Sequence, residues 1–346
     1  MIDFRSTRLL RSFAGAALAA AVQLAWAHPT YTIDATPLDS LLQSPAGLNK
    51  RGWVAENVDS DDADGGGYRC TRSACVRIPA LPNTSGATGV KASAIDELGV
   101  VVGESPAGSV AHAFRFDGTT VEDLGALAAG GYSAAYASNK LGQVVGSSRD
   151  AGGNDMPFVW QAGVMTPLPT LGGDWGTALA INEAGVIAGS AMTADGEYHA
   201  VTYRDGRIKD LGVLPGGYIA AARSINRHGQ VVGESSTDGM FKTRAFIYEK
   251  GQMREMPALP DTRDGRAYSI NDSGWAVGSA LVHGKGVRGF AFDGASTFDL
   301  NDALSPADRK HWMIEAAYAI NAKGQILVSA RDRTQFGYRV LVLSPQ

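Results

Sequence analysis

Cysteine is nearly absent, with Cys70 and Cys75 the only two in 346 residues. With no third cysteine and no histidine beside them, a metal pair is disfavoured. Charged residues make up only 19% of the chain, too few for a disordered polyelectrolyte. The net charge of −4 comes without a long basic run, which excludes nucleic acid and an anionic membrane surface as obvious partners. Nothing after the N-terminal region is apolar for long enough to cross a bilayer. No Gly-x-Ser-x-Gly elbow marks a nucleophile, and the six histidines lack metal-type spacing.

Glycine, by contrast, is abundant: 43 residues, with proline at 14. Many tight turns follow, and they are periodic. The stretch Ile225-Asn226-Arg227-His228-Gly229-Gln230-Val231-Val232-Gly233 returns as Leu48-Asn49 to Ala55, Ile95-Asp96 to Gly103, Ser138-Asn139 to Gly146, Ile181-Asn182 to Gly189, Ile270-Asn271 to Gly278 and Ile320-Asn321 to Val328. Successive Asn/Asp positions are 47, 43, 43, 44, 45 and 50 residues apart, in the range of repeat arrays and propellers. An Asn or Asp side chain can bond the backbone two residues on, and glycine can take the positive φ that a hairpin turn demands. Each copy therefore reads as strand, turn, strand.

Two further strand signals recur in each period. One is aromatic or branched, as in Ala113-Phe114-Arg115-Phe116 and Ala245-Phe246-Ile247-Tyr248, and is followed by turn pairs such as Asp117-Gly118 and Asp205-Gly206. The other resembles Val121-Glu122-Asp123-Leu124-Gly125-Ala126-Leu127. Four antiparallel strands repeated seven times predict an all-β, seven-bladed propeller occupying residues 28–346. The seventh copy lacks a fourth strand, whereas Tyr31 to Leu38 is a spare strand of that type. We expect it to complete the last blade and remove an exposed edge.

The Ala111-His112-Ala113-Phe114 segment, followed by Val121 to Leu127 and combined with the recurring Ile-Asn-x-x-Gly-x-Val-Val-Gly, resembles the bacterial extracellular HAF-repeat family across about residues 31 to 343. That resemblance implies an exported, propeller-like protein and carries no assigned activity. Only His112-Ala113-Phe114 keeps the triplet; His199-Ala200-Val201 is close, and Met156, Arg244, Arg288 and Tyr338 stand in the histidine's place elsewhere.

Residues 1–27 read as a secretory signal: Arg5, Arg8 and Arg11 precede the apolar run Phe13 to Ala21, and Ala25-Trp26-Ala27 offers a cleavage site. The mature protein is then expected in the periplasm or outside the cell, with no lipid or membrane anchor. In that oxidising setting Cys70 and Cys75 are expected to form a disulfide across a hairpin.

Candidate ligand residues lie in the loops between blades. Tyr132, Trp175 and Tyr218 follow paired glycines, Trp312 holds a related place, and Asp174, Arg223, Arg263 and Asp264 add polar groups. Aromatics around a channel mouth can stack on a sugar or peptide; they can equally cover the end of their own blade. Asp59, Asp61, Asp62 and Asp64 gather in one loop and are candidate calcium ligands, although Ala63 breaks the usual spacing and a solvated acidic loop is favoured. An N-terminal His28 could chelate copper, but no second histidine pairs with it. Beyond possible calcium no cofactor is expected. The function expected is a monomeric binding propeller for a glycan or protein ligand, the alternative being a hydrolase or lyase acting on an extracellular glycan or lactone.

Overall fold

The repeated turn is built in one way around the whole molecule. In the computed structural model, which describes residues 29–36, 43–59, 65–82, 89–238, 242–335 and 337–346, the Asn or Asp Oδ1 accepts backbone N–H bonds from within its own turn. Asn49 accepts from Arg51 and Trp53 at 3.0 and 3.1 Å, and Asn226 accepts from His228 and Gln230 at 3.0 Å. The glycine three residues on has φ between 74° and 93° in all seven copies, a conformation a side chain would strain.

These turns join the first two strands of seven four-stranded antiparallel sheets. Six blades run in sequence over 43–77, 91–123, 133–167, 172–212, 220–255 and 262–299. The seventh takes three strands from 312–345 and its outer strand from Tyr31–Ala35. The latter pairs antiparallel with the last strand, Tyr31 opposite Pro345 and Ala35 opposite Leu341, so the expected closure is found. Tyr31 also donates its N–H to Ala303 O at 3.1 Å and is 2% exposed.

The core is a set of layers between neighbouring blades. Val102, Ala113 and Leu124 of blade 2 pack with Ala135, Val144, Phe158 and Trp160 of blade 3. At the seam, Leu48, Val54, Tyr68 and Cys70 of blade 1 pack with Leu327, Val340 and Val342 of blade 7. The aromatic third strand fills each layer, with Phe114, Phe158 and Phe246 fully buried. Truncating such a phenylalanine to alanine costs about 3–5 kcal/mol.

Glycine in Val-Val-Gly has a steric reason. A Cβ at Gly103, Gly146, Gly233 or Gly278 would stand 1.9 Å from a carbonyl oxygen of the adjoining first strand. Blade 1 departs from this, placing Glu56 at the equivalent position.

A second set of bonds ties the blades at their inner edge. The Asn49 side-chain amide donates to Asp96 O, Asn139 to Asn182 O, Asn182 to Asn226 O, Asn226 to Asn271 O, Asn271 to Asn321 O and Asn321 to Asn49 O, at 3.0–3.2 Å. Asp96 alone cannot donate, because a carboxylate oxygen stands in place of the amide.

Candidate functional site

The channel and its two mouths are shaped by the innermost strands. Each carries a bulge three residues before its Asn or Asp, at Ala46, Ser93, Tyr136, Leu179, Arg223, Tyr268 and Tyr318. A bulged residue has no ladder partner opposite it and can project from its strand. Tyr268 and Tyr318, from adjacent blades, stack with centroids 5.2 Å apart and planes 6° from parallel; Tyr318 is 39% exposed. Arg223 Nε reaches both carboxylate oxygens of Glu234 at 2.9 Å. The hydroxyls of Tyr136 and Tyr268 lie 3.3 and 3.1 Å from Ser147 and Ser279 Oγ. Glu234, Ser147 and Ser279 each follow the Val-Val-Gly glycine, so one repeat position holds the bulged side chain of another.

Tyr132 joins this pattern by donating its hydroxyl to Glu104, which follows Gly103. Burial and that carboxylate together push the phenol well above its usual pKa. Trp175 meets Tyr198 edge to face at 5.1 Å. Tyr218 accepts the Tyr198 N–H on its carbonyl at 2.9 Å and donates its own N–H to Ser236 Oγ at 3.1 Å. Trp175, Tyr198 and Tyr218 are thus contiguous across blades 4 and 5. Trp312 packs against the apolar layer that holds Phe298 and Ile314. Asp174 and Arg263 are exposed, and Asp264 accepts the Thr243 N–H at 3.0 Å.

The sequence reading did not single out Tyr268, Tyr318, Glu104 or Glu234 as site residues. The signal available was the large residue breaking the Ala-x-Ala or Ala-x-Ser triplet just before the turn.

The opposite mouth, on the turn side, is a cavity of about 410 Å³. Residues directly after the Asn/Asp positions surround it: Lys50, Glu97, Lys140, Glu183, Arg227, Asp272 and Ala322. Their signs alternate. Lys50 pairs with Glu97 at 3.6 Å, Lys140 with Glu183 at 3.6 Å and Arg227 with Asp272 at 3.8 Å. Exposed pairs of this kind stabilise little, and they set local charge more than stability.

The histidine of the His-Ala-Phe triplet also has a visible partner. His112 Nδ1 lies 3.0 Å from both carboxylate oxygens of Asp123, and His199 Nδ1 lies 2.9 Å from Asp210. Arg244 with Glu255 at 3.0 Å and Arg288 with Asp299 at 3.6 Å repeat the link in blades 5 and 6. In each case the side chain clips the third strand to the outer one. For His199, burial opposes protonation, but hydrogen bonds to Asp210 and Glu197 outweigh it and raise the pKa.

Cys70 and Cys75 stand opposite each other at a hairpin end and are joined by a disulfide. Glu56 Oε1 lies 3.0 Å from Cys70 Sγ, a contact to which the oxidised sulfur brings no proton of its own. Glu56 with the two sulfurs is the group of potential metal donors found among the described residues, and the disulfide spends both sulfurs. Of the acidic loop only Asp59 is described, at an exposed position. Asp61, Asp62, Asp64 and His28 lie outside the described residues, as does the expected signal segment. No described helix is long and apolar enough to cross a membrane.

No family model matches the sequence, and no curated protein does. Solved structures do. The propeller domain of the Trilobed protease from Pyrococcus furiosus aligns at 10% identity and TM-score 0.54, covering 91% of this chain and 95% of that one. That domain is described as having an open velcro topology, whereas here the Tyr31–Ala35 strand seals the ring. A gluconolactonase from Xanthomonas campestris aligns at 12% identity and TM-score 0.43 over 92% and 99% of the two chains. Acylaminoacyl peptidase from Pyrococcus horikoshii aligns at 11% identity and TM-score 0.49 over 87% and 50%. At these identities the likeness concerns the propeller fold.

Proposed function

We propose that this chain is an exported, non-enzymatic binding propeller of the HAF-repeat kind, which holds a glycan or protein ligand on its loop face. The Tyr268–Tyr318 stack, on the innermost strands that line the channel, is the observation that supports this most. Two tyrosines held parallel, one of them well exposed, offer a flat apolar face with hydroxyls at its edge. Such a face suits a sugar ring or a peptide aromatic, and its rigidity lowers the entropy lost on binding. The Arg223–Glu234 fork beside it and the Trp175–Tyr198 pair nearer the loops supply polar and aromatic contacts of the same character.

Glycan-array retention of the full chain tests this reading. Tyr318→Ala and Trp175→Ala are each expected to weaken retention roughly tenfold, the usual size of losing one aromatic anchor. Unchanged retention by both variants, or turnover of the captured probe, overturns the binding reading.

A further inference from the structure

Between blades 4 and 5, on the turn side, lies a cleft of about 490 Å³ whose walls are basic. Arg204, Arg207 and Lys209 come from the outer hairpin of blade 4, and Arg227 and His228 come from the first turn of blade 5. Asp205 is the single acid among its lining residues. The hairpin tip is tight, with Asp205 and Gly206 at φ 51° and 72°, the left-handed pair of a two-residue turn.

Blades 2 and 5 neutralise the cations of their own outer hairpins. In blade 2 Arg115 pairs with Glu122 at 3.5 Å, and in blade 5 Arg254 pairs with Glu249 at 2.8 Å. The strand register places Lys209 where blade 2 has Glu122. Among the described residues Arg204, Arg207 and Lys209 make no ion pair; the Lys209 ammonium sits 5.3 Å above the Tyr248 ring instead. Arg227 is held more loosely than its hairpin counterparts, 3.8 Å from Asp272. Three exposed cations that make no ion pair among the described residues thus converge on one cleft of a chain whose net charge is −4, a local excess of positive charge that attracts anions.

We infer that this cleft binds a short acidic oligosaccharide segment, through its carboxylate or sulfate groups, at a site distinct from the loop face. The Arg204 and Arg207 guanidinium forks match planar or tetrahedral oxyanions. Ile208, Ile225 and the Tyr248 ring provide a floor for the apolar face of a sugar. The restricted size of the basic patch on a net acidic surface favours a short anionic segment over a long nucleic acid, whose remaining phosphates would meet repulsion.

Calorimetric titration of the full chain with oligogalacturonate, its neutral methyl ester, a sulfated oligosaccharide and a single-stranded oligonucleotide tests the inference. Expected is binding of the carboxylated or sulfated oligosaccharide, weakened by salt, with the ester binding at least about tenfold more weakly. The variant R204Q/R207Q/K209Q is expected to lose about tenfold or more, and K209Q alone a measurable part of that. The charge-matched variant K250Q/K285Q/K323Q should retain wild-type affinity, as should Tyr318→Ala, which separates this site from the loop face. Equal binding of ester and acid overturns the inference, as do preference for the oligonucleotide and full binding by the triple variant. An equal loss in the charge-matched variant does so as well.

Discussion

The side-chain amide of Asn321 donates to the backbone carbonyl of Asn49 at 3.0 Å, across 272 residues of chain. This bond closes at the inner edge what the Tyr31–Ala35 strand closes at the outer edge. The same amide-to-carbonyl link joins each neighbouring pair of turns except the one from Asp96 to Asn139.

Asp96→Asn should complete that circuit. Asp96 is 7% exposed, and its pKa is raised because burial outweighs the backbone N–H groups of Val100, Leu98 and Gly99. An amide keeps the acceptor that caps the turn, removes a poorly solvated charge and adds a donor toward Asn139. The variant is expected to gain about 1 kcal/mol in thermal or denaturant unfolding at neutral pH. A loss of stability would contradict the amide circuit as a stabilising device.

Glu56 should make stability depend on pH. Burial lifts its carboxyl from 4.5 to about 7, against the lowering effect of the Thr36 hydroxyl. The native state thus holds this proton more tightly than the unfolded chain does. The contribution is fully present below the ordinary carboxyl pKa and is lost as pH rises through about 7. Glu56→Gln is therefore expected to melt above the wild type at pH 8, with the gap narrowing toward pH 5. A gap of constant size across that range would remove Glu56 ionisation as the cause.

Removing the closing strand should expose an edge. A chain starting at Pro37 loses the five paired residues from Tyr31 to Ala35 and leaves the outer edge of Leu341 to Pro345 unpaired, while Leu341 to Leu343 keep their partners Val328 to Ile326 on the inner side. It is expected to melt several degrees lower than a chain starting at His28, and to self-associate in sedimentation as concentration rises. Identical melting and a monomeric profile would show that closure rests on the inner amide circuit alone.

Much of this architecture was legible because turn chemistry is local. Asn226 to Gly229 announces a hairpin within four residues, and seven recurrences imply the ring. The spare strand at Tyr31 could be matched to a gap in the last copy by pattern alone. Contacts between blades were not legible in the same way. Tyr268 and Tyr318 are 50 residues apart, and the bulge at each breaks the strict alternation by which facing is read from a strand. The convergence of Arg204 and Lys209 with Arg227 depends on how two blades dock. The pattern of blade 1's copy stops at Ala55 because Glu56 occupies a glycine's place, and its buried partners come from distant segments.

Strict alternation of plus and minus around a closed circle needs an even number of seats, and this circle has seven. Ala322, between Asp272 and Lys50, is where that parity fault falls, next to the junction of the chain's two ends. A side chain of either sign there would gain one attractive neighbour and one repulsive one, so only an uncharged residue escapes the conflict. A homologous ring of six or eight blades would carry no such vacancy, and the pattern of signs at this one repeat position would then report blade number.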